Sequence, residues 1–454
     1  MSIQTPDLNQ VGVVSSVDTE LLSLYQTQAI AVQNPELASL LQAIRDRAAE
    51  TVQQSKIPTT RDEEWRFTDL SALKSVNFQA APSSTPNLMA LEPLLLPEAR
   101  SRLVFVNGVY APELSAVALP DGVIASNLDG LPPAYRSQIE KHLAQLPGAQ
   151  EVFTALNTAA IADVAVVWIP KNIVVETPIH LLFISTASHT PIVSQPRCLV
   201  VAESNSSVTL IEDYFNQMTN LAPEETEAEV GEAVYFTNAV TEVWLAENAQ
   251  VNHTRIERDS PEAFHIGKSA IAQARDSRYT CTAIILGAKL SRYNLEIFQT
   301  GEQTHTILNG LTKISGNQLA DTHSTLALNH PYGTSHQQHK CIVGDRAHAV
   351  FNGKIFVPKP AQQTDAAQLN RNLLLSPKAR VDTKPQLEIT ADNVKCAHGA
   401  TVSQLDDEEV FYFQSRGLNA TDARNLLVNA FAAEIINQIP IPSLQQTLLK
   451  TINL

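Results

Sequence analysis

Along residues 279 to 297 the chain alternates apolar and polar positions with period two: Tyr279, Cys281, Ala283 and Ile285, then Tyr293, Leu295 and Ile297. That spacing predicts strands with one buried face. Short β-rich runs of the same texture begin near residue 101 and recur to about 400, among them RLVFVNGVY, VAVVWIP, VTEVWLAENAQVNHTRIE and HAVFNGKIFV. Between them lie turns in which small or polar residues precede apolar ones, as in SNSSVTL, AENAQVN and SPKARVD. No helix-length periodic segment interrupts residues 160 to 400. This excludes a doubly wound α/β sheet and leaves a sandwich, a barrel or a solenoid. The stretch is long for the first two. A parallel β-helix accommodates it, because each coil stacks on the last and no globular core is needed.

Helical periodicity is confined to the ends. Residues 18 to 55 carry Leu at short helical spacings and no Gly, and predict two helices broken near Asn34-Pro35. The Pro- and Ser-rich run from 80 to 99 predicts a linker or an irregular cap. Near the C-terminus, Asp406 with Glu409 resembles a capping box, and Gly417 is placed to end that helix. A second helix from Thr421 sets Ala423, Leu426, Leu427, Ala430, Phe431 and Ile435 on one stripe until Pro440. The chain thus divides into an N-terminal helical region and linker (1–100), a β-rich region (101–403) and a C-terminal helical region (404–454). The block Glu224, Glu225, Glu227, Glu229 and Glu232 reads as a solvated loop.

Charge and cysteine usage narrow the function classes. With 32 basic against 47 acidic residues, the net charge of −15 repels phosphate backbones and anionic bilayers, so neither nucleic acid nor membrane is expected as a partner. The start MSIQTPDLNQ has neither a basic n-region nor an apolar h-region, and no apolar run approaches ~18 residues; a cytoplasmic protein is expected. Cys198, Cys281, Cys341 and Cys396 include no C-x-x-C pair and are expected as free thiols, most of them small hydrophobes.

Three constellations are candidates for chemistry. Gly267-Lys268-Ser269 matches the tail of a phosphate-binding loop, but Glu262 stands where that loop needs its first glycine and no helix follows, so the chain brings no ATPase of its own. His323, His330, His336, His339 and His348 crowd one stretch, in which Pro331 and Gly333 predict a loop with solvated histidines. Cys396 and His398 continue the period-two pattern of Val394, so a strand projects both from one face. A thiolate and an imidazole together suit zinc, iron or a sulfur-bearing intermediate, or form a nucleophile pair. Two ligands do not complete a metal site. Cys341, a loop histidine or another chain has to supply the rest. The reading without chemistry is a half-buried cysteine beside a surface histidine.

Residues 350 to 436, from VFNGKIFV through KCAHG to NLLVNAFAAEII, resemble the C-terminal half of the SufB/SufD family of iron–sulfur cluster assembly scaffold proteins. TTRDEEWRFTDLSAL, residues 59 to 73, is similar to the SufD branch, and the chain has no N-terminal cysteine motif of the kind often seen in SufB. The resemblance implies a mainly β fold: a right-handed parallel β-helix core flanked by N-terminal and C-terminal helical regions. It also implies a non-catalytic scaffold subunit that pairs with SufB through the β-helix and recruits the SufC ATPase through the C-terminal helices. A nascent iron–sulfur cluster then forms at the SufB interface, no cofactor is tightly bound to the isolated chain, and a homodimer is open to it in isolation. The functional Cys and His of the family's K-C-x-H-G motif fall on Cys396 and His398, with His398 the stronger carry-over as ligand or proton donor. ATPase docking falls on Phe411, Phe413, Leu426, Leu427 and Phe431, because the VFYF run and the helical stripe offer more apolar surface than one hairpin hides. Trp65 reads as a structural pin. Two other classes remain: a cytosolic β-helix adaptor without ligand chemistry, and a carbohydrate-active β-solenoid enzyme, against which the lack of an export signal speaks.

Overall fold

The computed structural model describes residues 23–27, 29, 31–82, 91–187, 190–218 and 234–452. From residue 207 onward, strands alternate between two parallel sheets. One sheet holds β1 (Ser207–Met218), β3 (Gln250–Arg258), β5 (Arg278–Ile285), β7 (His305–Ile314), β9 (Thr334–Val343), β11 (Asp365–Leu374) and β13 (Lys395–Gln404). The other holds β2 (Tyr235–Leu245), β4 (Phe264–Gln273), β6 (Leu290–Gln299), β8 (Leu319–Ala327), β10 (His348–Val357) and β12 (Arg380–Ile389). Each strand pairs in parallel with the strand two further on, giving a β-solenoid of about seven turns. The repeat is uneven: Phe264 pairs with Leu290, 26 positions on, and His348 with Arg380, 32 positions on. Earlier strands, among them Ser101–Val106 and Ala165–Ile169, extend both sheets toward the N-terminus. There the sheets close with antiparallel pairs, Val109–Tyr110 on the first of these and Ile124–Ser126 on the second.

The polar turns of the sequence are the solenoid's corners. Asn205, Asn248, Asp276, Gln303, Tyr332 and Gln363 all have positive φ, and each stands two residues before an odd-numbered strand. Their backbone N–H groups donate to the neighbouring coil, as from Asn248 to the Arg275 carbonyl at 2.9 Å. Asn adopts this left-handed conformation readily, and Asn172, Asn205 and Asn248 stack their side-chain amides at 2.8 and 2.9 Å. Gln303, Tyr332 and Gln363 lack that preference. The stacked corner imposes the conformation on them.

Alternation decides what enters the solenoid. Tyr279, Cys281, Ala283, Ile285, Tyr293, Leu295 and Ile297 all lie in one interior cluster, as their spacing predicts. Toward the last coils the interior turns polar, with Gln337, His339, Gln368, Asn370 and Asn372 buried. Glycines make that possible. A Cβ at Gly310 would stand 2.0 Å from His339 Nδ1, and one at Gly353 would stand 2.0 Å from Gln368 Nε2.

Helices cover the outer faces. Helix α1 (Pro35–Gln54), capped by Asn34 accepting from Leu37 N–H, packs with α2 (Pro133–Ile139) and α3 (Val152–Ala159) on the outer face of the even-numbered sheet. Helix α4 (Asp407–Ser415) leads into α5 (Ala420–Ile436) and α6 (Pro442–Thr451). Val428, Ala432, Ile435, Leu444 and Leu448 of the last two meet Ile211, Ile256, Ile284, Leu311, Ile342 and Leu373, one residue from each successive odd-numbered strand β1 to β11. Among the described residues, no helix is long and apolar enough to cross a membrane.

Several expectations are corrected. The first of the two N-terminal helices is a 3-10 turn at Leu24–Thr27 within the described residues, with residues 18–22 outside them. Of the run 80–99, residues 83–90 lie outside the described residues, and Leu91 and Leu94 bury themselves against Val104 and Val106. The stretch holding His336 and His339 is not a loop: the turn ends at Gly333 and both residues lie on β9, three positions apart and therefore on opposite faces. The predicted α5 stripe is rotated. Leu426 is 45% exposed, whereas Val428, Ala432 and Ile436 are buried, because the helix is oriented by the row of isoleucines beneath it. The acidic block 224–232 lies outside the described residues.

The N-terminal segment also straps the outer face of the even-numbered sheet. Arg292 lies 4.4 Å from the Trp65 ring and donates to the Glu64 carbonyl at 2.8 Å and to Asp321 Oδ2 at 2.5 Å. His323 sits between Glu64 at 3.2 Å and Asp321 at 3.0 Å. Burial alone would raise the Asp321 carboxyl; Arg292 and His323 outweigh it and bring the pKa to about 2. Trp65 is thus the structural pin the sequence suggests.

Burial pushes the His339 imidazole down to about 4. The unfolded chain takes up that proton near ~6.5, so it binds more protons than the folded chain between the two values, and stability falls as pH drops through that window. The expected loss is about 2 kcal/mol between pH 7 and pH 5. Urea midpoints across that range check it, and His339→Gln flattens the slope.

Candidate functional site at the open end of the solenoid

Among the described residues, strand β13 is the last of its sheet and has β11 alone as a neighbour in it. Lys395 donates its N–H to the Thr364 carbonyl, so by strand alternation the N–H groups of Cys396, His398, Ala400 and Val402 point away from the sheet. After Lys395 the strand carries no charged residue through Gln404. The other terminal strand, β12, differs: Arg380, Asp382, Lys384 and Glu388 charge it, and Pro385 removes a donor. Charge and proline blunt an edge against pairing. The edge of β13 stays open.

Cys396 and His398 stand on one face of β13, as predicted. In register beneath them run the columns Ser335–Ala366–Cys396 and Gln337–Gln368–His398. Gln368 donates to Gln337 Oε1 at 2.8 Å, and Gln337 donates to Ser324 Oγ at 2.7 Å. Gln368 Oε1 is buried with no hydrogen-bond partner, one strand below the exposed His398. The pair therefore closes a column of interior amides at the point where it meets solvent. Cys396 packs partly against the interior cluster, and its thiol pKa is raised, first by burial and then by the Asp365 carboxylate. No hydrogen bond joins Cys396 to His398 among the described residues. This is a protonated thiol beside an exposed imidazole, not a primed nucleophile pair.

Neither intramolecular candidate completes the set. Cys341 is fully buried on β9, in the column of Asn372 and Val402, and burial pushes its thiol up to about 12. His336 points outward from β9, away from the interior. Among the described residues, the group of three metal-ligating side chains lies elsewhere, at Glu257, Asp259 and His265. Period-two spacing of His253, Arg255 and Glu257 on one strand was the available signal for it, in positions where the pattern otherwise demands apolar residues.

Of the proposed docking residues, Phe411 is 70% exposed and Leu426 45%, while Phe413, Leu427 and Phe431 are partly buried. Phe431 is turned toward the body, its ring 4.2 Å from Lys340 Nζ. Tyr412, within the VFYF run, and Leu418, in the turn after α4 and outside both the run and the helical stripe, extend the exposed patch.

The described residues thus form a parallel solenoid with an open strand edge, beside which Cys396 and His398 stand. The SufBD core domain of the SUF system for FeS cluster assembly matches residues 183–431, and the SufBD N-terminal region matches residues 15–181. The chain is 50% identical to an iron–sulfur cluster assembly SufBD family protein of Synechocystis sp., over 95% of this chain and 94% of that one. It is 32% identical to the iron–sulfur cluster assembly protein SufD of Escherichia coli, over 87% of this chain and 88% of the relative. With the Bacillus subtilis SufD the identity is 25%, over 97% and 98%. The chain belongs to the SufBD family of iron–sulfur cluster assembly proteins, and its assignment within that family is SufD-like.

Burial separates the four thiols. Cys198, Cys281 and Cys341 are enclosed and Cys396 is partly exposed. Titration of the native chain with a thiol-specific disulfide reagent is therefore expected to find one reactive thiol, lost in Cys396→Ser, and denaturation to reveal the other three.

Proposed function

We propose that this chain is a SufD-like, non-catalytic subunit of a cluster-assembly scaffold. It pairs with a SufB-like chain through the open end of the solenoid and binds a SufC-like ATPase through its C-terminal helices. The observation that carries the reading is the uncapped, uncharged edge of β13, with Cys396 and His398 set beside it. A row of outward N–H and C=O groups is a template for a strand from another chain. A partner seated there stands next to His398 and supplies the ligands this chain lacks. The nascent iron–sulfur cluster is then cargo, held between two subunits.

The two residues contribute unequally. An exposed imidazole can offer a neutral nitrogen to iron or hand a proton to an incoming sulfur species. Cys396 contributes less, because burial and Asp365 disfavour its thiolate. On the ATPase side, Phe411, Tyr412, Leu418 and Leu426 form the apolar patch, beside the acidic first turn Asp407, Glu408 and Glu409. That combination suits a partner with an apolar groove rimmed by basic residues. In the absence of SufB, the same β13 edge supports a homodimer.

The test is co-expression with SufB and SufC followed by anaerobic reconstitution. Ala400→Pro removes an outward donor and leaves the β11–β13 ladder intact; it is expected to weaken SufB pairing at least tenfold with unchanged circular dichroism. His398→Ala keeps pairing and ATP hydrolysis but loses cluster formation, and Cys396→Ala does less. Phe411→Ser with Leu426→Ser weakens SufC binding at least tenfold. Full pairing in Ala400→Pro, or the reverse severity order at Cys396 and His398, overturns the reading.

A further inference from the structure

The interior between β1 and β6 holds charges that the open end does not use. Glu212 on β1, His253, Arg255 and Glu257 on β3, Asp259 just beyond it and His265 on β4 are each at most 7% exposed. The Arg255 guanidinium lies 4.7 and 4.4 Å from the Tyr214 and Tyr293 ring centroids, 3.3 Å from Glu257 Oε2 and 3.6 Å from Glu212 Oε1. His253 reaches Tyr279 Oη at 2.9 Å through Nδ1 and Glu212 Oε2 at 3.2 Å through Nε2.

The charges do not balance. His265 Nδ1 donates to Asp259 Oδ2 at 2.7 Å, and His265 Nε2 accepts from Arg255 Nη2 at 2.6 Å, so this ring is neutral. Three carboxylates against one guanidinium leave two negative charges, and a protonated His253 would remove only one. Glu257 Oε1 is fully buried and has no hydrogen-bond partner, although Tyr235 Oη satisfies Asp259 Oδ1 at 2.8 Å. A dry interior penalises an unpaired carboxylate oxygen by several kcal/mol. Glu257, Asp259 and His265 each present one ligand atom within 4.8 Å of the other two. Gly267 makes room here for Arg255 and His265. A Cβ on Gly267 would stand 2.4 Å from Arg255 Nη2 and 3.2 Å from His265 Nε2.

We propose that Glu257, Asp259 and His265 bind a first-row divalent cation inside the solenoid. Two carboxylates and an imidazole suit Zn²⁺, Mn²⁺ or Fe²⁺, and offer too few oxygens for Ca²⁺. The ion takes Nδ1 of the neutral ring, the ring proton moves to Nε2 as Arg255 Nη2 withdraws from it, and one M²⁺ enters with no proton lost. Arg255 keeps its two tyrosine rings and Glu212. The corner Ser260-Pro261-Glu262, which reaches solvent above Asp259, is the route in. The site is separate from the Cys396–His398 pair and does not depend on any partner.

The full chain, stripped with chelator and dialysed anaerobically against Zn²⁺, Mn²⁺ or Fe²⁺ alone, is expected to retain about one ion of at least one of these metals. Glu257→Gln and Asp259→Asn each weaken retention at least tenfold, with unchanged circular dichroism. The double variant Cys396→Ser, His398→Ala binds as wild type. Co²⁺ loaded into the wild-type chain gives visible ligand-field bands without thiolate charge transfer, a readout that needs no variant to fold. Failure of all three metals to be retained overturns the proposal. So does a thiolate charge-transfer band, or loss of the ion in the Cys396, His398 double variant with retention in Glu257→Gln and Asp259→Asn.

Discussion

A parallel solenoid buries each coil under the next, so the stack has to end twice, and each end leaves strand edges that must be covered or used. The two ends of this molecule are treated differently. At the N-terminal end, both sheets fold back into antiparallel pairs, and α1, α2 and α3 pack over the outer face of the even-numbered sheet. At the C-terminal end, among the described residues, no strand pairs with the outer edge of the last coil. Helices α5 and α6 instead run back along the outer face of the odd-numbered sheet, held by one isoleucine or leucine from each strand β1 to β11 beneath them. The fold spends its helices on a face and leaves an edge bare, and the placement of Cys396 and His398 follows from that choice.

The second constraint is polarity inside the stack. An all-apolar interior would be the most stable filling of a tube this narrow. Yet Arg255 is enclosed between two tyrosine rings, with Glu212, Glu257 and His265 around it. Burial alone would disfavour every one of these charges; mutual attraction reverses that for Glu212, whose pKa comes to about 2. Such a cluster is far more costly to break than to omit. Removing one partner strands the rest in a medium that cannot solvate them. The glycines at 267, 310 and 353 belong to the same logic, since each yields its side-chain volume to a neighbouring polar group.

Much of the architecture was legible because strand alternation is local. Tyr279 to Ile285 and Tyr293 to Ile297 announce one buried face, and the polar turns announce corners. The solenoid's register was not legible, because the spacing between paired strands varies from 26 residues at Phe264–Leu290 to 32 at His348–Arg380 and defeats a search for a fixed repeat. His336 and His339 were misplaced for a related reason: Pro331 and Gly333 correctly mark a turn, but the next strand begins immediately after it. The Cys396–His398 pair was legible from period two alone. That Cys341, close in the stack, sits in a different column from the pair was not. The Glu257, Asp259 and His265 group was legible only in part: Glu257 continues the period-two polar positions of His253 and Arg255, but Asp259 and His265 lie across a corner, where spacing does not say which side chains turn inward.

The helices and the open end are also linked more closely than their separation in sequence suggests. Lys340 on β9, with no side-chain exposure, reaches Glu434 of α5 at 2.5 Å and the Phe431 carbonyl at 2.9 Å. Arg371 on β11 reaches the same Glu434 at 3.3 Å and lies 5.5 Å from the Phe431 ring. One carboxylate thus ties α5 to two consecutive strands, and the second of these is the strand on which β13 is hydrogen-bonded. Burial lowers the Lys340 pKa while Glu434 supports its charge, so separating the two would leave a poorly solvated ammonium against the sheet. The latch resists separation for that reason. Glu434 thus fixes α5 against β9 and β11, and β11 also carries Gln368, the residue in register beneath His398. The outer face on which α5 lies and the open edge of β13 are joined by a single strand, β11.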